Sequence, residues 1–353
     1  MKYLKVDEQT LSDLSILGKQ GKASVYALFN RTRTQGGAAL LNELFKLPLA
    51  DETEINRRAG IYQFFSQQEF EFPVESEVIG MLNHYLKNDD VRTQIQLGKQ
   101  HIGQRFRDMV ATDAEVNFIN DGVQAALRLF SKLLAFLEKW KTIAVKGPGE
   151  QIFGQLEKLI QDNAFTPLHP YTKNAREARL SHIQLSELDK LIRFEEREKM
   201  LELLQLLFEL DVFIAVGKVT RAQGFHFAKA MPSGTGTLHY QQVYHPHVEG
   251  AIANDLHLNA SQNILFLTGA NMAGKSTLMK SIGIALYLAH MGFPVAAKQF
   301  EFSVRDGIYT SINLSDNLSM GASHYYAEVL RVKEVAVELS MGKQLFVILD
   351  ELF

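Results

Sequence analysis

The chain has 353 residues, 46% of them hydrophobic and 22% charged, which is long for one domain and apolar enough to build a substantial core. It contains no Cys, which excludes a disulfide framework and a thiolate metal site and makes a reducing, cytoplasmic setting the expectation. A formal net charge of −3 excludes a generally basic surface, so any nucleic-acid contact must come from a local patch or a clamp geometry. The opening MKYLKVDEQT lacks the apolar stretch of a secretory signal, and no apolar run is long enough to span a bilayer.

In chain order, Val123, Leu127, Phe130, Leu134 and Leu137 recur at helical spacing, and Lys146-Gly-Pro-Gly149 separates that helix from the next, which predicts antiparallel helices. Residues 171–216 contain neither Pro nor Gly, while Leu185, Leu188, Ile192, Leu201, Leu204 and Phe208 keep the same period. Run as one helix, that stretch would reach roughly 70 Å and form an arm. Its mixed charges, including Arg176, Arg179, Lys190, Arg193 and Arg197, read as a solvated face. Lys99, His101, Arg105 and Arg107 form a second modest basic cluster, again read as solvated. Trp140, the one Trp, lies on an apolar helical stripe and reads as core or interface rather than as a base-stacking platform.

The character changes after about Ala230. Met231-Pro-Ser-Gly-Thr-Gly236 is a flexible stretch, and the domain boundary is placed there, with a helical domain over residues 1–230 and a second domain over 231–353. Residues 238–244 read as a strand, 263–268 as an apolar strand ending in a Gly-rich turn, the stretch to about His290 as a helix, and 346–349 as a buried strand. Strand, loop, helix and later strand make a parallel α/β unit. His239, His245, His247 and His257 cluster in sequence, but their spacing matches no zinc pattern.

Gly269-Ala270-Asn271-Met272-Ala273-Gly274-Lys275-Ser276 fits GxxxxGK(S/T). The glycines permit backbone angles from which N–H groups turn inward onto phosphates, Lys275 would reach the β and γ oxygens of ATP, and Ser276 would give its hydroxyl to Mg2+. A helix starting near Lys275 adds the positive end of its dipole. The run Leu345-Phe-Val-Ile-Leu-Asp350-Glu351 supplies the carboxylates such a site needs at a strand end. Asp350 is the metal-side acid, and Glu351 is the candidate to orient or deprotonate the attacking water, with Lys275 assisting catalysis. ATP hydrolysis is the base reading.

At these residues a resemblance enters. Thr268-Gly-Ala-Asn-Met-Ala-Gly-Lys-Ser-Thr277 resembles the TGxNM(G/A)GKST loop of the MutS family of mismatch-repair ATPases, the Asn-Met pair being its distinguishing part. The stretch from Asp316 through Ser323 to Glu328 is similar to the family's DDLxxGxSTFxxE segment, and Tyr244-His-Pro246 with Ile252-Ala-Asn254-Asp255 is similar to the pair that borders the nucleotide base. Ser24-Val-Tyr-Ala-Leu-Phe-Asn-Arg-Thr32-Arg-Thr34-Gln-Gly-Gly37, with Leu47-Pro-Leu49 and Ile55-Asn-Arg57-Arg58, is similar to the opening of the family's helical core.

The resemblance implies a multidomain α and α/β fold, in which an all-helical core with lever helices is followed by the N-terminal part of a P-loop, ABC-type ATPase domain. It implies a homodimer through the ATPase domain, with Ser323 reaching the partner's γ-phosphate. An ordinary helix cap is the competing role for Ser323. Asn271 would add a loop contact, and Ile252 and Asn254 would lie by the base. Ala251 stands where many members place an aromatic, and His324-Tyr325 replaces Thr-Phe. No β-rich, Lys/Arg-rich clamp interrupts the helical patterns. Because the chain opens at the core-like residues and stops at Phe353, a short member without mismatch-binding and connector domains is expected, with weak or no turnover. Three functions follow in order: an ATPase coupling nucleotide state to DNA binding in mismatch repair or recombination, a nucleotide-gated assembly protein that never touches DNA, and a membrane-transport ATPase half, against which the lack of a spanning segment argues.

Overall fold

The computed structural model describes residues 2–18, 23–93, 108–143, 147–173, 179–312 and 324–350. Its helices are α1 (Glu8–Asp13), α2 (Val25–Phe29), α3 (Gln35–Lys46), α4 (Glu52–Gln67), α5 (Ser76–Lys87), α6 (Asp108–Ile143), α7 (Glu150–Ile160), α8 (His169–Thr172), α9 (His182–Lys190), α10 (Arg197–Gln223), α11 (Lys275–His290) and α12 (His324–Ser340). The strands are β1 (Lys5–Val6), β2 (His226–Phe227), β3 (Lys229–Met231), β4 (Leu238–Val243), β5 (Asn254–Leu258), β6 (Pro294–Val295), β7 (Gln299–Ser303), β8 (Gly307–Ser311) and β9 (Leu345–Leu349). Several helix starts are written in the sequence: Asp7, Ser24, Asp51 and Ser181 each accept a first-turn backbone N–H, and Ser181 forms a capping box with Gln184.

Backbone contacts group the chain into two units, one comprising Met1–Arg31, Ala39–Glu69 and Phe213–Phe353, the other Thr32–Ala38 and Phe70–Val212. In the first, β1, β8 and β9 form a three-stranded sheet in that order with parallel pairings, so the first residues of the chain extend the sheet that carries Asp350 at the end of β9. A four-stranded sheet runs β3-β7-β4-β5 and mixes parallel and antiparallel pairs, while β2 and β6 pair alone. Asn56 of α4 covers the β3 edge: its amide donates to Ala230 O and accepts from Ala230 N, both at 3.0 Å. Strands β4 and β9 match the sequence reading. The apolar run at 264–267 has no ladder partner among the described residues, and Ile264 and Phe266 are each 87% exposed. Apolar composition marks a chain fit for a sheet, but the backbone partner that makes it a strand is a tertiary matter.

Helix α11 is buried on every side from Ser281 to His290, as befits a helix apolar all round. Just beyond it, Phe293 is the hub of the core: Phe29, Phe45 and Tyr62 meet its ring edge-on at centroid distances of 5.3, 5.5 and 4.8 Å. Two polar groups fix the helix against the end of α3 and the segment after it, with Tyr287 donating its hydroxyl to Phe45 O and His290 Nδ1 lying 2.8 Å from Leu49 O. Since Arg305 N–H donates to His290 Nε2, the partners select the neutral ring with its hydrogen on Nδ1. Burial, with the Arg305 charge adding a smaller push, lowers this imidazole from 6.5 to about 4.

The second unit is helical throughout its described residues. Trp140 stacks on Phe153 at 3.6 Å, with Phe70 5.8 Å away, so it is a packing residue. The stretch read as one unbroken arm is interrupted: after α9 a π-helical turn covers Leu191–Glu195, Glu196 breaks the pattern, and α10 then runs past Val216 to Gln223. Burial corrects the reading of Arg193 as solvated. Its guanidinium is fully buried, paired with Asp189 at 2.6 Å and donating to Thr93 Oγ1 at 2.7 Å and Thr93 O at 3.2 Å. Tyr85 donates to the same carboxylate at 2.6 Å, and burial followed by the Asp189 charge holds that phenol well above its ordinary range. Of the remaining basic cluster positions, Arg176, Lys99, His101, Arg105 and Arg107 lie outside the described residues. Among the described residues no helix is long and apolar enough to cross a membrane.

Two measurements check these buried groups. Arg193→Met leaves Asp189 buried without its counter-charge, and a loss of about 3–5 kcal/mol in denaturant unfolding is expected. For His290 the folded value lies below the unfolded one, so the unfolded chain binds the extra proton first and stability falls as pH drops from about 6.5 toward 4. The shift corresponds to roughly 3 kcal/mol across that window, and a urea midpoint flat from pH 7 to 4.5 contradicts the assignment.

Candidate functional site

The loop from Gly269 to Gly274 takes left-handed backbone angles at Met272 (φ 65°) and Gly274 (φ 90°). Met272 is fully exposed, so nothing but the loop's own course imposes the unusual angle on a residue with a side chain. Such angles are the raw material of anion-binding concavities. Gly274 caps α11, and the first turn of that helix presents Lys275 and Ser276. Lys275 folds back over the loop, donating to Gly269 O at 2.9 Å and Ala270 O at 3.0 Å. Ser276 Oγ lies 2.5 Å from Asp350 Oδ2, across a sequence gap of 74 residues.

That contact brings the end of β9 to the N-terminus of α11, one of the juxtapositions the motifs predict. A hydroxyl and a carboxylate side by side are hard oxygen donors, the set Mg2+ prefers when phosphate and water complete its shell. Ammonium donors resting on loop carbonyls are placed to exchange those partners for phosphate oxygens. The donor chemistry therefore fits a Mg2+–nucleotide, which Ser276 and Asp350 would hold on the metal side and Lys275 and the loop amides on the phosphate side.

Other predicted residues fall differently. Asn271 and Thr277 are exposed on the loop and the first helical turn. Ile252 is 85% exposed and offers its carbonyl to Asn254 Nδ2 at 2.9 Å. Among the described residues no hydrogen bond joins either one to residues 269–276. His245 and His247 are lowered from the ordinary imidazole range chiefly by burial, and the charges near His245 include Lys280 of α11, which places the His-Pro turn beside that helix. Glu351 and Ser323 lie outside the described residues.

The sequence reading missed a polar face on α1. Asp7 caps α1 and faces Arg331, while Thr10 and Asp13, three and six residues on, meet the end of β8. Asp13 Oδ2 accepts from Thr310 Oγ1 at 2.7 Å and Ile312 N at 3.0 Å, and Thr10 Oγ1 accepts from Thr310 N at 3.0 Å. Arg331 of α12 donates to Asp7, to Thr10 Oγ1 at 3.0 Å and to Thr310 O at 3.0 Å. The intervening Ser311 O accepts Asp350 N at 2.9 Å. A bonded path thus runs from Asp13 through the end of β8 to Asp350 and Ser276. The i, i+3, i+6 spacing of polar residues after a capping Asp is the only trace of it in the sequence.

Asp13→Asn swaps an acceptor for a donor against Ile312 N–H, and Thr310→Val removes the hydroxyl. Each is expected to destabilise the chain by about 1–3 kcal/mol in thermal or urea unfolding, with Thr310→Ser nearer wild type; equal stability of all three with wild type contradicts the network.

Comparison with known proteins agrees with this architecture. MutS domain III matches residues 9–216 and MutS domain V matches residues 265–353. Among similar proteins, the DNA mismatch repair protein MutS of Leuconostoc citreum is 24% identical, with 100% of this chain and 50% of that protein covered. The protein of the same name from Bacteroides thetaiotaomicron is 25% identical over 99% of this chain and 51% of its own length. That from Desulfitobacterium hafniense is 28% identical over 67% of this chain and 26% of its own length. The chain spans about half the length of the relatives it matches end to end. With one family domain matched over most of its helices and a second over the phosphate loop and β9, the chain belongs to the MutS family.

Proposed function

We propose that the chain binds and hydrolyses ATP with Mg2+ and couples nucleotide state to DNA binding in mismatch repair or recombination. The Ser276–Asp350 contact beside the Lys275 loop carries this reading. In it the loop amides from Gly269 to Gly274 and Lys275 hold the phosphates, Ser276 and Asp350 hold the cation, and Thr277 and Asn271 complete the first turn and the loop. A cation held there would neutralise phosphate charge, and Glu351 orients the attacking water. Ile252 and Asn254 border the base, and Ser323 serves the site of a partner copy, so the working form is a homodimer through the ATPase part. On this reading residues 1–230 form the core and lever and 231–353 the nucleotide part, the protein works in the cytoplasm, and the DNA role follows relatives named for DNA mismatch repair.

Titration of a fluorescent ATP analogue with Mg2+ tests the nucleotide half. Saturable binding is expected, weakened at least about tenfold by Lys275→Ala, because a charge-assisted contact to phosphate is worth roughly 1.5–3 kcal/mol; no uptake by the wild-type chain overturns the reading. Anisotropy against duplex, mismatched and branched DNA across salt concentrations tests the other half. Absent DNA binding together with an ATP-dependent protein partner would favour the assembly reading instead.

A further inference from the structure

We propose that His239 and His257 form a two-imidazole site for a borderline divalent transition ion such as Zn2+ or Ni2+, separate from the Mg2+ position at Ser276 and Asp350. The two residues are direct register partners on the antiparallel strands β4 and β5. Their ring centroids are 5.2 Å apart and their Nδ1 atoms 3.3 Å apart, on the solvent side of the sheet. An ion bound tetrahedrally by two imidazoles at about 2.0–2.1 Å requires nitrogens roughly 3.4 Å apart, close to the present separation, and its binding replaces the hydrogen bond that joins the two Nδ1 atoms, with the donor ring taking its other tautomer. The other closely placed imidazoles are held by backbone groups: His245 Nδ1 accepts His247 N–H at 3.2 Å, and both ring nitrogens of His290 face backbone partners in the core.

The chemistry selects the class of ion. Neutral imidazole is a ligand for Zn2+, Ni2+ and Cu2+ and a poor one for Mg2+. Glu301 is the register partner of His239 on its other side, in β7, yet among the described residues no third His, Asp or Glu converges with the pair. Water therefore fills the remaining coordination positions, and the site is of modest affinity. A bound ion cross-links β4 to β5, the strand that begins at Asn254 and leads through the tight turn between Asn259 and Gln262 toward the loop at Gly269.

The test uses the whole chain without a polyhistidine tag, in excess Mg2+ and without nucleotide, titrated with ZnCl2 by calorimetry and by NMR of labelled histidine. One saturable Zn2+ equivalent is expected, with the His239 and His257 imidazole resonances shifting. His239→Ala and His257→Ala are each expected to weaken binding by at least about tenfold, the scale on which a metal site responds to loss of its supporting groups. Asp350→Asn and His245→Ala are expected to leave it unchanged. Zinc affinity equal to wild type in both histidine variants, or unmoved resonances of both rings at saturating zinc, overturns the proposal. His257 is exposed and His239 half-buried on the strands, and an unchanged melting temperature without zinc checks that the hairpin is intact.

Discussion

Burial of α11 is the constraint on which the rest of the first unit depends. A helix wet only in its first turn and dry from Ser281 to His290 has a fixed depth in the core, and whatever its N-terminus presents is therefore fixed in space. Phe293 gathers three aromatic rings at the dry end, and Tyr287 and His290 bond to backbone carbonyls there. Gly283 lets the sheet come close, since a methyl group at that position would meet Leu14 at 2.7 Å and Ile348 at 3.3 Å. Ile348 belongs to β9, so the same close approach sets Asp350 at the wet end of the helix. Placement of a hydroxyl against a carboxylate is thus a product of apolar packing several residues away.

The strand order adds a second layer. Because β1 pairs with β8 and α1 lies over the end of that strand, residues at the very start of the chain help hold residues near position 350. Charge and hydrogen bonding divide this task. Arg331 joins α12 to the polar face of α1, while Asp13 satisfies a backbone N–H just past β8. Buried polar groups of this kind specify one arrangement because leaving any of them unpaired is costly.

What the sequence made legible follows the range over which each signal acts. Strands β4 and β9 are local apolar patterns with local causes, and the structure holds both close to where the sequence places them. Arg193 was misread because mixed charge along a helix reads as a solvated face, whereas this guanidinium is buried against Asp189, four residues before it, and against Thr93, a residue 100 positions away. The run at 264–267 has the composition of a strand, but composition does not name a backbone partner. The α1 network joins residues about 300 apart in sequence, and only the fold makes Asp13 and Thr310 neighbours.

Asn56 has a further consequence. By matching both backbone groups of Ala230, a single side chain completes the outermost ladder of the four-stranded sheet. An incoming extended segment finds no free donor and acceptor at that residue, so growth of the sheet in that direction is blocked at the outset. At the opposite margin no strand pairs with the outer edge of β5 among the described residues, and that is the side at which a further strand could be accommodated.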